Sequence, residues 1–188
     1  MIDDIVDTQS AILASAAGLL RQRTFEDISY LDVAEASAVS ERTIYRRFPT
    51  RSHLLEALAA WIETEHFPVQ EFSTPAEFRD AVLERFRAFE AAPAYAFVAA
   101  RGASLSPTAE AGTAPIAASI AAMIAATAPT LNRRDALRTT ATISYFASPI
   151  FWARMHTGFE MNAEEVAEAF DLAMRSVLPA APKSSRVE

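Results

Sequence analysis

The sequence predicts an all-α fold, and three observations lead to that prediction. Apolar residues recur at helical spacing in nearly every segment, and no segment has the convincing period-two alternation of a strand. Glycine occurs only 4 times in 188 residues, whereas alanine is abundant throughout. With 51% hydrophobic and 22% charged residues, the composition is typical of a globular protein with a substantial core.

Composition also excludes several classes of protein. There is no cysteine, so neither a disulfide framework nor thiolate chemistry is available. Near the N-terminus, Asp3, Asp4 and Asp7 stand where a secretion signal needs positive charge. The most apolar run, residues 116–128, is shorter than the ~20 residues that a membrane helix needs. We therefore expect a cytoplasmic protein without a membrane partner.

The N-terminal part of the chain is organised around residues 29–48, SYLDVAEASAVSERTIYRRF. These residues predict two short helices joined by a tight turn. Ser29 and Ser40 stand at the helix starts, where a hydroxyl accepts a hydrogen bond from an otherwise unpaired first-turn N–H. Asp32 follows Ser29 at the spacing of a capping box. The apolar members of the pair are Val33, Ala34, Val39, Ile44 and Phe48.

The second short helix has two different faces on a helical wheel. With Ile44 placed toward the core, Phe48 falls about 40° away on the same side. Arg42 and Arg46 then point in the opposite direction, into solvent. The hydroxyl residues that flank the arginines are Thr43 and Tyr45. Since arginine can bind guanine edges or phosphates, and hydroxyls can bind the DNA backbone, this face suits the major groove. The pair of helices is therefore interpreted as a helix-turn-helix.

Charge is distributed unevenly along the chain. The net charge is 17 − 24 = −7, which does not by itself favour nucleic acid as a partner. Residues 40–53, however, contain four arginines and a single acid, Glu41. A local basic face on an acidic protein can bind DNA, and its affinity should be sensitive to salt. The alternative is a solvated helical hairpin whose arginines provide only solubility.

The flanking segments predict the rest of this domain. A first helix from about Thr8 to Arg23 carries an apolar stripe, and Phe25 and Ile28 fill the same core. Pro49 ends the second short helix, and Thr50 caps the next helix, which reaches about His66. The apolar stripe of that next helix consists of Leu54, Leu55, Leu58, Trp61 and Ile62.

Residues 12–58 resemble the N-terminal DNA-binding domain of the TetR (tetracycline-repressor-like) family of transcriptional regulators. The matching residues are VAEASAVSERTIYRRF at 33–48 and RSHLL at 51–55. The resemblance implies a sequence-specific regulator, most often a ligand-responsive repressor, whose homodimer binds a palindromic double-stranded DNA operator. The residues expected to contact DNA are Ser29, Ser40, Arg42, Thr43, Tyr45, Arg46, Arg47 and Arg51.

Two positions depart from the pattern of the family. Ala38 stands in the turn where the family usually has glycine, so a left-handed residue there would be strained. Glu41 opens the recognition helix, where an acid suits the helix dipole but repels phosphate.

The second half of the chain also reads as helical. Thr74 to Glu77 combine a capping threonine, a first-turn proline and a glutamate at the third position, which is a strong helix start. Residues 91–102 predict a short helix, and Ser106-Pro107 opens another that reaches about Ala126. Asn132 begins a long helix through Met155, bent at Pro149, and Asn162 begins the last one.

The resemblance makes this half a helical ligand-binding and dimerisation domain. The expected limits are 1–50 for the helix-turn-helix domain, 51–73 for the connecting helix and linker, 74–180 for the ligand-binding and dimerisation domain, and 181–188 for a flexible tail. The last two long helices are apolar on one face and rich in small residues, as in a four-helix dimer interface. Alternatively, those stripes close only the core of the monomer.

A pocket for a small hydrophobic effector is expected in the same domain. The candidate lining residues are Phe86, Phe89, Tyr95, Phe97, Arg101, Met123, Tyr145, Phe146, Trp152 and Met155, with His156 as a further polar group. The alternative for these side chains is an ordinary aromatic core.

Catalysis receives little support. Among the three histidines, His66 has an acid one turn away, Glu63, but such pairs are usually part of a solvated surface. Residues 102–104 begin like a nucleophile elbow, but Ser106 replaces its second glycine. We expect no catalytic residue, cofactor or metal. The alternative function is a helical small-molecule-binding or enzymatic domain that retains the helix-turn-helix only as scaffold.

Overall fold

The computed structural model describes residues 2–105 and 115–178, with side chains for residues 8–102 and 116–178. All regular elements in these ranges are helical, which confirms the predicted all-α fold. The N-terminal elements are α1 (Ile2–Leu19), the 3₁₀ helix η1 (Phe25–Asp27), α2 (Tyr30–Ser37), α3 (Glu41–Arg47) and α4 (Arg51–Glu65). The later helices are α5 (Pro75–Ala91), α6 (Pro93–Leu105), α7 (Pro115–Thr127), α8 (Arg133–Phe146), α9 (Pro149–Phe159) and α10 (Ala163–Val177).

The contacts group these helices into two compact units. The first consists of Met1–Pro68 and Ala88–Thr108, and the second of Val69–Arg87 and Ala109–Glu188. Within the described range, residues 88–105 therefore pack with the N-terminal helices, although the sequence suggests a domain that begins at residue 74. The limits expected for the DNA-binding and ligand-binding domains therefore remain a prediction. Among the described helices, none is long and apolar enough to span a membrane.

The first unit has a core of aliphatic and aromatic side chains. Ile12, Val33, Ile44, Leu54 and Leu58 are fully buried there, so each helix from α1 to α4 contributes to one cluster. α6 packs along α4 at very short range, because Gly102 faces Ala59. A Cβ atom added to Gly102 would overlap the Cβ of Ala59, so this contact requires glycine.

The second unit is built around the aromatic face of α5. Phe78 and Phe86 are fully buried, and both rings contact that of Phe170 on α10. On the predicted face, Phe78, Val82 and Phe86 are buried in this unit, whereas Phe89, also buried, belongs to the first unit. On the surface, Arg79 pairs with Asp171 and Arg87 pairs with Glu164, so two ion pairs join α5 to α10.

The predicted helix starts are confirmed wherever a cap was expected in the described residues. Ser29 and Asp32 form a complete capping box at α2, and Asn162 and Glu165 form another at α10. At α5, the N–H of Glu77 donates to the hydroxyl of Thr74 at 3.2 Å. The other predicted caps that accept a first-turn N–H are Ser40, Thr50 and Asn132.

Three predicted helices have different limits in the structure. The one expected at 91–102 spans Pro93–Leu105, because α5 continues through Ala91. α1 spans Ile2–Leu19 instead of Thr8–Arg23, because the amides from Leu20 to Gln22 bond carbonyls only three residues back, which tightens the chain into turns. The single bent helix predicted from Asn132 to Met155 is wrong. It is two helices, since Ser148 accepts a hydrogen bond from the N–H of Phe151 and starts α9, while proline disfavours helical backbone at the residue before it.

Two other predictions fall partly or wholly outside the described residues. The helix expected from Ser106-Pro107 would begin there, and within the described part α7 covers Pro115–Thr127. The tail expected from Pro179 onward also lies outside the described residues.

Candidate nucleic-acid interface

α3 is a seven-residue helix fixed at both ends and on one face. The hydroxyl of Ser40 accepts from the N–H of Thr43 at 3.2 Å, and the N–H of Phe48 donates to the carbonyl of Ile44 at 2.8 Å. Ile44 is 0% exposed and Phe48 is 3% exposed, as the helical wheel predicts. The buried pair therefore sets which side of α3 faces solvent.

The solvent side of α3 is cationic. Arg42 and Arg46 are exposed, and no ion pair formed by the described residues includes Arg42, Arg46 or Arg47. Arg47 differs from the other two, because it is half-buried and its Nε is enclosed without a hydrogen bond. The guanidinium groups of Arg42 and Arg46 are therefore available to an anionic partner.

The hydroxyl residues around α3 are prearranged. Thr43 is half-buried, and its Oγ1 lies 2.8 Å from the Oγ of Ser40. Tyr45 is 52% exposed. Its ring and that of Tyr30 form an edge-to-face pair, with centroids 4.5 Å apart and planes at 74°. Ser29, another predicted phosphate ligand, is exposed but donates its hydroxyl to Asp32 at 2.5 Å.

Asp32 brings a carboxylate close to the predicted phosphate contacts. Hydrogen bonds from the hydroxyl and N–H of Ser29, together with the guanidinium of Arg23 at 2.7 Å, hold the pKa of Asp32 well below its usual range. The carboxylate is therefore charged at neutral pH, and Arg23 compensates it on one side. Ser29 can reach a phosphate only if its hydroxyl leaves the capping box.

Arg51 is engaged within the protein. Its two terminal nitrogens donate to the carbonyls of Phe25 and Ile28, and its guanidinium lies over the Phe25 ring, 4.4 Å from the centroid. The residue clamps η1 onto the start of α4. A phosphate contact by Arg51 remains a prediction. The contacts with η1 are a structural role that the sequence did not suggest.

Tyr30 is the residue at this site that the sequence analysis missed. It is only 6% exposed, and its hydroxyl donates to the carbonyl of Phe48 at 2.6 Å. Burial raises the pKa of the Tyr30 phenol, the nearby Arg51 lowers it and Tyr45 raises it slightly further. The sequence offered one signal for this contact, a tyrosine at the first position of α2. A tyrosine that becomes buried there usually needs a hydrogen-bond partner for its hydroxyl.

The turn between α2 and α3 has the left-handed residue that its position requires. Ala38 has φ 55° and ψ 31°, and its N–H donates to the carbonyls of Ala34 and Glu35. The next amide, that of Val39, donates to Ala34 at 3.2 Å. This is a helix–turn–helix in which the exposed side of the second helix is basic.

Residues 12–58 match the sequence model described as bacterial regulatory proteins, tetR family. The helix-turn-helix of this chain is therefore similar to that of the tetR family of bacterial regulators. The matched range extends from α1 into α4 and so contains the complete helix-turn-helix. A comparison with curated proteins gives no match.

One solved structure extends the likeness, in fold, beyond this range. The crystal structure of a TetR transcriptional regulator from Rhodococcus sp. RHA1 has a TM-score of 0.68 and 15% identity, over 92% of this chain and 97% of that chain. A second structure, of a proposed TetR-family transcriptional regulator from Rhodococcus sp., has a TM-score of 0.49 and 21% identity, over 93% of this chain and 100% of that chain. The first likeness shows a shared TetR fold, with an N-terminal helix-turn-helix domain and a C-terminal helical domain.

The ten residues predicted to line an effector pocket in a TetR regulator are divided between the two units. Phe89, Tyr95, Phe97 and Arg101 belong to the first unit, and the other six belong to the second. Of those six, Phe86, Met123 and Trp152 are buried, Phe146 and Met155 are half-buried, and Tyr145 is 52% exposed. The residues therefore do not form one cluster within either unit.

Two clefts of the first unit contain three of the predicted lining residues. Phe97 and Arg101 line a cleft of about 500 Å³ with the end of α1 and η1, where Arg101 pairs with Glu26. Tyr95 lines a second cleft of about 530 Å³ with Trp61 and His66. In the second unit, the ring of Phe151 contacts those of Phe86 and Phe146, and Trp152 stacks on His156 at 4.8 Å.

Metal-binding side chains are not clustered in the described part of the chain, where no group of three or more His, Cys, Asp or Glu could hold an ion. The family match over residues 12–58 and the basic face of α3 together support a DNA-binding regulator.

Proposed function

We propose that the protein is a ligand-responsive repressor that binds a palindromic operator as a homodimer. The observation that carries the proposal is the outer face of α3, where Arg42 and Arg46 are exposed and outside the ion pairs of the described residues. Ile44 and Phe48 anchor the opposite face, so these guanidinium groups point away from the core.

DNA would be bound with α3 in the major groove. Arg42 and Arg46 would meet base edges or phosphates, and Thr43 and Tyr45 would bind phosphates beside the groove. Ser29 and Ser40 at the helix starts, together with Arg47 and Arg51, would add contacts to the backbone. Because most of these contacts are electrostatic, we expect affinity to fall steeply as the salt concentration rises.

A homodimer is supported by exposed apolar residues of the second unit. Leu137 is 68% exposed, Tyr145 is 52% exposed, and both lie with Ala141 on one side of α8, since they are spaced four residues apart. On α10, Leu172 is 67% exposed. The apolar stripe of α10 that suggested a dimer from sequence is used differently, because Val166, Phe170 and Met174 are buried within the unit. The proposed interface is therefore formed by the opposite faces of these helices.

The effector would bind among the aromatic side chains of the second unit. Phe86 and Trp152 are fully buried there and Phe146 is half-buried, so a small hydrophobic molecule would have to part their packing to bind. A ligand that binds better to a conformation in which the recognition helices are wrongly spaced would release the operator. Mass spectrometry of small molecules that co-purify with the protein would identify candidates.

The decisive variant is Arg46→Ala, measured by fluorescence anisotropy on the promoter next to the protein's own coding region. Loss of one arginine contact should weaken operator binding by about 1–3 kcal/mol, which is roughly 5- to 150-fold, without unfolding the protein. Arg154→Ala is the matched control, because Arg154 is an exposed arginine on α9. It should leave the affinity unchanged.

Two outcomes would contradict the proposal. If Arg46→Ala and Arg154→Ala bind the promoter equally well, the face of α3 does not read DNA. If the wild-type protein has no salt-dependent affinity for the promoter, the alternative of a small-molecule-binding domain with a helix-turn-helix scaffold is favoured.

A further inference from the structure

Tyr30 contacts the recognition helix at two separate points. Its hydroxyl donates at 2.6 Å to the carbonyl of Phe48, the C-cap residue at which α3 ends. Its ring meets the ring of Tyr45 at 4.5 Å in an edge-to-face arrangement. Since Tyr30 is the first residue of α2 and is only 6% exposed, both contacts start from an immobilised side chain.

Tyr45 is poorly restrained by other groups. Its side chain is 52% exposed, and no hydrogen bond within the described part of the chain engages its hydroxyl. An exposed aromatic ring of this kind samples several rotamers, and binding must then restrict it. The contact with the Tyr30 ring limits that freedom before any partner binds.

We propose that Tyr30 is a positioning residue that holds the Tyr45 phenol and the end of α3 in the orientation for phosphate contact. The inference rests on the proposed DNA-binding function and adds a residue that does not itself touch DNA. Phosphate contacts determine the register of a recognition helix on the duplex. A misplaced Tyr45 side chain would therefore displace the arginines of α3 as well. Preordering lowers the entropy that binding costs.

A double-mutant cycle tests this role. Tyr30→Leu removes both contacts, Tyr30→Phe removes only the hydrogen bond to Phe48, and Tyr45→Ala removes the positioned ring. We expect Tyr30→Leu to weaken promoter binding about 10-fold, equivalent to about 1.4 kcal/mol. In the Tyr45→Ala background the same change should cost markedly less, because the ring that Tyr30 orients is gone. Tyr30→Phe should retain most of the coupling to Tyr45.

Stability and exchange measurements separate positioning from a simple core role. Urea unfolding identifies conditions in which every variant is fully folded, and affinities are compared there. Amide hydrogen exchange of Phe48, whose N–H bonds Ile44, should be faster in Tyr30→Leu and Tyr30→Phe than in the wild type. A core role alone would lower stability while leaving the affinity of the folded protein unchanged.

The possible failures are distinguishable. If the wild type binds DNA but Tyr30→Leu binds equally well, or if the effects of Tyr30→Leu and Tyr45→Ala simply add, the positioning role is wrong and the proposed function stands. If the wild type binds no DNA, the proposed function fails, and the positioning role fails with it.

Discussion

Ala38 has a backbone conformation that its side chain disfavours. With φ 55° and ψ 31°, it occupies the left-handed region, where an L-residue with a Cβ costs about 1–2 kcal/mol relative to the right-handed one. The turn needs this conformation, because the amides of Ala38 and Val39 close the C-terminus of α2. The helix-turn-helix therefore contains local strain that glycine would relieve.

Ala38→Gly should stabilise the protein by about 0.5–1 kcal/mol. Relief of the left-handed strain exceeds the extra entropy that glycine gives to the unfolded chain. Urea unfolding followed by circular dichroism measures the difference. Ala60→Gly on the exposed side of α4 is the control and should destabilise by about 1 kcal/mol, as glycine does in a helix interior. A loss of stability in both variants would mean that Ala38 is not left-handed.

Arg51 shows how a single residue can have a structural role at a position expected to bind DNA. A planar guanidinium can donate to two carbonyls and lie on an aromatic ring at the same time, whereas a lysine ammonium cannot make that set of contacts. In this chain the carbonyls belong to Phe25 and Ile28, and the ring is that of Phe25. The side chain therefore organises the segment that leads into α2.

At the scale of the element, α3 depends on its surroundings. Seven residues are too few for a stable isolated helix, since nucleation costs more than so few hydrogen bonds return. Contacts with the rest of the unit provide the missing stabilisation. They are made by Ser40 at one end, Tyr30 at the other and the buried Ile44 between them. The element that we propose reads DNA is thus rigid only as part of its unit.

The α4–α6 packing is the second element-scale feature, and Gly102→Ala tests it. A Cβ at this position would overlap that of Ala59 and lie 3.3 Å from the carbonyl oxygen of Leu55, so the helices must separate. Overpacking costs about 1–3 kcal/mol, from which a gain in helix propensity of up to about 1 kcal/mol is subtracted. We expect net destabilisation of about 1–2 kcal/mol in urea unfolding.

Gly158→Ala on α9 is the control for that substitution. No heavy atom lies within 4 Å of a Cβ built at Gly158, so only the propensity gain should remain, and stability should rise slightly. Equal effects of the two substitutions would mean that α6 does not approach α4 through Gly102.

At the scale of the whole molecule, charge and apolar surface suggest different partners. The chain carries a net charge of −7, but residues 40–53 are basic, so DNA would be attracted to one region only. The exposed Leu137, Tyr145 and Leu172 on α8 and α10 suggest a protein partner, and the proposed partner is a second copy of the chain.

Leu172→Glu should convert the proposed dimer into a monomer. A charge at the centre of an apolar interface is buried without a partner on association, whereas the monomer keeps it in solvent and stays folded. Sedimentation velocity measures the oligomeric state, and promoter affinity should fall with dimer content. Phe159→Glu at the end of α9 replaces another exposed apolar residue and should leave the dimer intact. A wild-type monomer at micromolar concentration would contradict the proposed interface.

The sequence by itself determined the features that depend on neighbours along the chain. Capping residues such as Ser29, Ser40 and Asn162 lie within three residues of the amides they bind, so helix starts were readable. The spacing of Ile44, Phe48 and the arginines likewise identified the two faces of α3, because the direction of a side chain on a helix follows from its position along the helix. Ser148 carried the same kind of signal, and the break between α8 and α9 was readable but overlooked.

Only the tertiary structure decided the contacts between residues distant in sequence. Arg51 binds carbonyls 23 and 26 residues away, Tyr30 bonds Phe48 across 18 residues, and Gly102 meets Ala59 on another helix. The assignment of residues 88–105 to the N-terminal unit and the inward direction of the α10 stripe belong to the same class. Such contacts follow from how complete helices pack against each other, and no local pattern of residues specifies that packing.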